Sequence, residues 1–338
     1  MKIKRLYLVA VAVLAACALA PSSRAQTVIV SNTFNEANRF YPAIPPYSDD
    51  GVVNSEGDIE SQFIRGGSGT ITVQAPGGGA AVAGQANVLV GSGEAGGSAS
   101  WYTYFTTANN PVTLQTPGDE MILTWQFTPT GVAAMNNNQG LSLAVALTPS
   151  GQRSSGDASI PNAAYTGFAM YMNMGTTLSN TSPFQLKRWG VGATSSALLG
   201  SSSNWSILSN GNAVVSAGTK GTTGYTSGTQ YTLTMTMELD PSGDGNLDVT
   251  STIVGDSLNN TGSMSVSYVD TAPTTDGAGL SFDTFDIRPT NTNTTANVFS
   301  TSLFEVVETN VVPEPSTVLL VVAGLGMLLG LARRHRRH

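Results

Sequence analysis

Tyr231-Thr232-Leu233-Thr234-Met235-Thr236-Met237-Glu238-Leu239 alternates without a break. Side chains point to opposite faces along an extended chain, so Tyr231, Leu233, Met235, Met237 and Leu239 share one face. Thr232, Thr234, Thr236 and Glu238 occupy the other. The turn cluster Asp240-Pro241-Ser242-Gly243 follows, and Leu247–Val254 then resumes as a second candidate strand. This stretch predicts a long hairpin with one apolar and one polar face, the pattern of an antiparallel sheet covered on one side.

The same period recurs outward from the hairpin. In Met121–Thr128, Met121, Leu123, Trp125 and Phe127 oppose Thr124, Gln126 and Thr128, and Leu141, Leu143, Val145 and Leu147 repeat the pattern. Further candidate strands are Val28–Val30, Thr70–Gln74, Met264–Val269, Leu280–Ile287 and Ser302–Val307, with Gly-rich turns such as Pro76-Gly77-Gly78-Gly79 between them. No stretch of residues 26–311 keeps a helical period. The expectation is one all-β domain over 26–311, an antiparallel β-sandwich. Its order of features resembles the concanavalin A-like, or LamG-like, jelly roll. The resemblance is carried by Phe184-Gln185-Leu186-Lys187-Arg188-Trp189, by the hairpin Tyr231–Val254 and by the late strand Ser302–Val307. It implies a last strand that pairs back near the first.

The two ends read differently from the middle. Met1-Lys2-Ile3-Lys4-Arg5, an apolar run from Leu6 to Ala20 and Pro21-Ser22-Ser23-Arg24-Ala25 have the form of a secretory signal peptide, residues 1–25. Ser23 and Ala25 occupy the small-x-small positions, so cleavage is expected after Ala25, by signal peptidase following passage through the Sec translocon. Leu14-Ala15-Ala16-Cys17 resembles a lipoprotein lipobox, which would make Cys17 a lipidated first residue instead. At the other end, residues 312–338, Val312-Pro313-Glu314-Pro315-Ser316-Thr317 leads into an uncharged run, Val318–Ala332, and then Arg333, Arg334, Arg336 and Arg337. A helix over 318–332 would be about 22 Å long, a short transmembrane span that flanking residues and arginine snorkelling can complete. The arginines would hold its end in the cytoplasm.

This ending resembles the PEP-CTERM sorting signal, in which an exosortase recognises motif, helix and arginine stop. The resemblance implies an inner-membrane-anchored intermediate with a periplasmic passenger, later released or moved to the cell surface or beyond. Bacteria with exosortases generally make an exopolysaccharide, so the resemblance also implies a matrix protein that associates with exopolysaccharide.

Composition narrows the chemistry. Of 15 Lys and Arg, seven lie in residues 26–312, against 21 of the 22 Asp and Glu, so the exported part carries about −14. That charge argues against nucleic acid or an anionic surface as a partner and favours cations. The single cysteine is Cys17 and both histidines, His335 and His338, are in the tail. The exported part therefore has no disulfide, no thiol nucleophile, no imidazole base and no thiolate or imidazole metal site. A non-enzymatic binding protein without a cofactor is the expectation, with a glycan-cleaving enzyme using Glu56, Asp58 and Glu60 or a purely structural or adhesive surface protein as the alternatives.

Three constellations remain. Glu56-Gly57-Asp58-Ile59-Glu60 is similar to the carboxylate strand of laminarinase-like glucanases, and Glu56, Asp58 and Glu60 would share a strand face. Gly57 and the nearness to the N-terminus count against a glycan-cleaving site, leaving an acidic surface segment. Asp240, Ser242, Asp244, Gly245 and Asp248 resemble the start of an EF-hand or dockerin calcium loop. Position 12 is Ser251 and both flanks read as strands, so a hairpin turn is expected; a loose Ca²⁺ site on Asp240, Asp244 and Asp248 is the alternative. Trp125 lies on a core stripe, whereas Trp101, Tyr102 and Trp205 are the candidate ring platforms for sugars.

Overall fold

The computed structural model describes residues 23–35, 61–93, 99–154, 156–161, 163–194, 198–200 and 202–312. The signal-peptide core, Glu56, Asp58 and Glu60, and the tail from Pro313 lie outside the described residues. Among the described residues no helix is long and apolar enough to cross a membrane. Residues Gln26–Thr309 form one compact unit.

The described chain builds two antiparallel eight-stranded sheets. In spatial order the first runs β17 (Ser263–Asp270), β16 (Leu247–Val254), β15 (Tyr231–Leu239), β7 (Glu120–Thr130), β20 (Val298–Val312), β4 (Val88–Ser92) and β3 (Thr70–Gln74), and β1 (Ser23–Asn32) also pairs with β20. The second runs β11 (Trp205–Ile207), β10 (Phe184–Trp189), β9 (Thr166–Met172), β8 (Leu141–Leu147), β19 (Thr284–Pro289), β5 (Trp101–Tyr104) and β2 (Phe63–Arg65), with β14 (Ser216–Ala217) also on β10. Two short ribbons, β12 (Ser209–Asn210) with β13 (Ala213–Val214) and β6 (Val112–Thr113) with β18 (Ser281–Phe282), sit off these sheets.

The alternation in the opening hairpin is what places β15 and β16. Leu239 pairs with Leu247 across the turn, and Tyr231 pairs with Phe127 on the β7 side, so three apolar stripes face inward together. The inner faces of the two sheets meet in one core. Phe285 of β19 stacks on Phe304 of β20 at 4.9 Å, Trp101 of β5 meets Phe299 of β20 at 5.9 Å, and Trp125 meets Phe285 edge-on at 6.1 Å. Buried Trp125 also donates its Nε1–H to Thr301 Oγ1 at 3.0 Å, which satisfies its one polar atom. Gly91 of β4 underlies Trp101: a Cβ there would come within 2.7 Å of the indole, so only glycine lets ring and backbone approach this closely.

Two expected strands differ in outline. Leu280–Ile287 is split into β18 and β19 at Asp283, which is buried and accepts the Thr148 amide at 2.8 Å and an Arg153 guanidinium N–H at 2.6 Å. Ser302–Val307 is the middle of the much longer β20, which pairs with β4 over Val298–Thr301 and follows β7 as far as Thr309, with a register shift between Thr301 and Leu303. The pairing of β1 with β20 brings the last strand back beside the first. The fold is an antiparallel β-sandwich.

Candidate functional site

The outer face of the second sheet carries a groove, built by the alternation that buries its inner face. In β19, Phe285 and Ile287 point into the core, so Asp286 and Arg288 point out; in β10, Phe184 and Leu186 point in, so Gln185 and Lys187 point out. Register then sets these side chains in two rows. Arg288 pairs with Ser142, Ser142 with Tyr171, and Tyr171 with Gln185. In the next row Asp286 pairs with Ala144, Ala144 with Ala169, and Ala169 with Lys187. The two alanines are fully buried, in a second apolar cluster with Tyr165, Leu198 and Leu199 that covers this row on the outer face, so only Lys187 of the row reaches the groove. Loops carrying Asn138 and Gln139, Leu199 and Gly200, and Thr290 and Asn291 form walls around a cavity of about 690 Å³. That lies within the usual range for small-molecule sites, about 300–1,000 Å³.

The polar groups here are only partly satisfied. Arg288 donates from Nη1 to the Leu199 carbonyl at 2.7 Å, and Ser142 donates to the Arg288 carbonyl at 3.2 Å. Lys187 is 6 % exposed and its Nζ lies 4.0 Å from the centre of the Tyr171 ring, a cation–π contact. Burial holds the Lys187 ammonium below the usual lysine value. Burial also pushes Asp286 up to about 8, against the opposing pull of Arg288 and of the Leu199 and Ile287 amides. Its Oδ1 and the Tyr171 hydroxyl are both buried without a hydrogen-bond partner. Burial raises the Tyr171 phenol above its ordinary value, so it is a neutral donor at any physiological pH.

The residues anticipated as ring platforms are elsewhere. Trp101, Tyr102 and Trp205 are 1 %, 0 % and 2 % exposed, so none of them offers an open ring. Trp101 faces the inter-sheet core. Tyr102 is covered by the loop after β8, to which it donates a hydrogen bond at the Ala158 carbonyl, 2.9 Å. Trp205 packs edge-on against Trp189 at 5.0 Å and donates to the Leu198 carbonyl at 3.0 Å. Trp205 follows a Ser- and Asn-rich stretch, yet Ala193 and Leu198 from that stretch accept the indole N–H groups of Trp189 and Trp205. Ala25, the expected cleavage position, is an exposed residue of β1, and Val312 is the last residue of β20.

Asp240, Asp244 and Asp248 fall in and after the tight turn of the β15–β16 hairpin. Asp240 accepts the Ser242 amide at 2.7 Å, and Asp244 accepts the Asn246 amide at 2.9 Å and its side-chain amide at 2.6 Å. The carboxylates thus close the turn. Among the described residues no group of three or more His, Cys, Asp or Glu is placed to hold a metal ion. Asp248 is raised by partial burial and by the neighbouring Asp240, Glu238 and Asp244.

Tyr171 and Arg288, which line the groove, and Asp286 beside it were not singled out from sequence, and Lys187 was read only as part of the strand Phe184–Trp189. The signal was present: Phe285-Asp286-Ile287-Arg288 and Phe184-Gln185-Leu186-Lys187 place charged or amide groups at every second position of strands whose other face is core.

Comparison with known proteins adds the following. Residues 311–337 match the PEP-CTERM protein-sorting motif, so the chain carries that signal. Among curated proteins none matches the chain. Similar solved structures include arcelin-5, a lectin-like defence protein from Phaseolus vulgaris, at 10% identity over 85% of this chain and 99% of that one, TM-score 0.39. Lectin II from Ulex europaeus has 11% identity over 73% and 92%, TM-score 0.39. The VIP36 exoplasmic/lumenal domain, in its Ca²⁺/Man2-bound form, has 10% identity over 79% and 87%, TM-score 0.37. At these TM-scores no ligand, metal or site residue is carried over from them.

Proposed function

We infer that this chain is an exosortase-sorted, exported binding protein whose β-sandwich holds extracellular polysaccharide in the groove across β19, β8, β9 and β10. The cavity of about 690 Å³ carries the reading: amides and hydroxyls of Asn138, Gln139, Ser142, Thr290, Asn291 and Thr294 line it beside the Tyr171 ring. Such a mixture of hydrogen-bonding groups and a flat apolar face suits a sugar ring, which has hydroxyls at its edge and C–H groups on its faces. The sorting motif supports a place outside the inner membrane for the sandwich, after passage through the Sec translocon and cleavage by signal peptidase. Binding rather than cleavage follows from the donor set. Glycoside hydrolysis ordinarily uses two facing carboxyls, and among the described residues that line the groove none is Asp or Glu.

The test uses the full chain in a mild non-ionic detergent, incubated with extracellular polysaccharide from the strain that makes it. Saturable binding without release of reducing sugar is expected. Absence of binding would overturn the glycan reading, and reducing-sugar release would replace it with an enzyme.

A further inference from the structure

We propose that the groove selects an acidic sugar, one bearing a carboxylate that Lys187 and Arg288 bind; this rests on the glycan reading above. The exported part has seven basic residues. Arg65, Arg153 and Arg188 are each committed to an aspartate, Arg65 to Asp157 at 3.8 Å, Arg153 to Asp283 at 2.6 Å and Arg188 to Asp270 at 2.9 Å. Arg39 lies outside the described residues and Lys220 is exposed in a turn. Lys187 and Arg288 are left, both lining the same cavity, and neither forms an ion pair among the described residues.

Leaving a lysine 6 % exposed with only an aromatic ring beside it costs folding free energy. An anion arriving in the groove offsets that cost, so the site is built for negative charge. Asp286, the carboxyl nearest the pair along β19, is buried on the outer face under the segment that carries Leu199 and is held largely neutral near pH 7, so it does not cancel the two cations. The Tyr171 hydroxyl, buried at the groove and without a partner, supplies one more neutral donor.

The rest of the domain sharpens the choice. At about −14 overall, it repels polyanions at long range, so a densely charged polymer such as nucleic acid would gain little from two local cations. A polysaccharide with carboxylates spaced along otherwise neutral sugars meets the same two cations with less repulsion.

The experiment measures binding of the full chain, in mild non-ionic detergent, to the producing strain's polysaccharide before and after its carboxyls are reduced to alcohols. Loss of at least about tenfold in affinity on reduction is expected, because the reduced sugar leaves the two desolvated cations without their partner. The variants Lys187→Met and Arg288→Gln should each weaken binding of the native polymer by a similar factor and that of the reduced polymer far less, and Lys187→Met, which removes an unpaired buried charge, should melt no lower than the parent. Prior mild acid, which strips acetal-linked acids but spares uronic acids, separates the two sources of carboxylate. Equal binding of native and reduced polymer would overturn the inference while leaving the glycan reading intact. No binding of the native polymer would remove the glycan reading itself.

Discussion

Replacing Asp286 with Asn should change how stability depends on pH, and the size of the change follows from burial. The carboxyl is fully enclosed, and burial lifts it to about 8 from the ordinary carboxylate value near 4. Between those limits the folded chain holds a proton at Asp286 that the unfolded chain has released. The unfolding free energy therefore falls as pH rises, by about 1.4 kcal/mol per pH unit for one proton. This contribution is fully present below pH 4 and is lost as pH climbs through 8. The groups facing Asp286 are Arg288 on its own strand, Tyr102 on β5, Tyr165 before β9 and Tyr171 on β9. All three tyrosines are raised by burial, so none titrates in this window. Asparagine matches the shape of the neutral acid and does not titrate. Urea unfolding of the full chain and of Asp286→Asn in parallel, at pH 5, 6 and 7, should show the variant gaining on the parent by about 2.7 kcal/mol across the two units. Curves that stay parallel would mean that Asp286 is ionised in the fold and that burial does not hold its proton.

Other consequences are more quickly checked. Arg153→Met leaves buried Asp283 without its guanidinium, 2.6 Å away, and should cost about 3–5 kcal/mol by chemical denaturation. Gly91→Ala drives a methyl into the Trp101 ring and should cost about 1–3 kcal/mol, read as a lower melting temperature with unchanged far-ultraviolet dichroism. Replacing Pro313, Glu314 and Pro315 with alanine should leave the protein in the membrane fraction in cells, whereas unchanged processing would contradict exosortase sorting at this motif. Polysaccharide binding should survive a calcium chelator; its loss would bring the Asp240–Asp248 turn into the site.

The long alternating strands were legible in the sequence. Tyr231–Leu239 and Leu247–Val254 have the limits expected of them because one face of each meets the core and the other meets water. Thr166–Met172 was not legible, since six of its seven residues are buried and a strand covered on both faces has no polar period. The candidate site failed to show for a related reason. Trp101 and Tyr102 drew notice as clustered rings and Trp205 as a ring in a Ser- and Asn-rich stretch, but whether a loop folds over a ring depends on tertiary contacts such as that of Tyr102 with Ala158, 56 residues away. Lys187 and Arg288 belong to strands far apart in the chain, and only the register through β8 and β9 puts them on one groove.

Ser202 gives the most direct handle on the claim that the groove binds glycan. It is an exposed residue on the groove wall, in a short 3-10 turn that buries nothing, so a tryptophan there fills the groove without entering the core. Binding of the producing strain's polysaccharide should be saturable for the parent and abolished in Ser202→Trp at an unchanged melting temperature. Undiminished binding by Ser202→Trp would place the glycan somewhere else on the sandwich, and no binding by the parent would take the glycan away altogether.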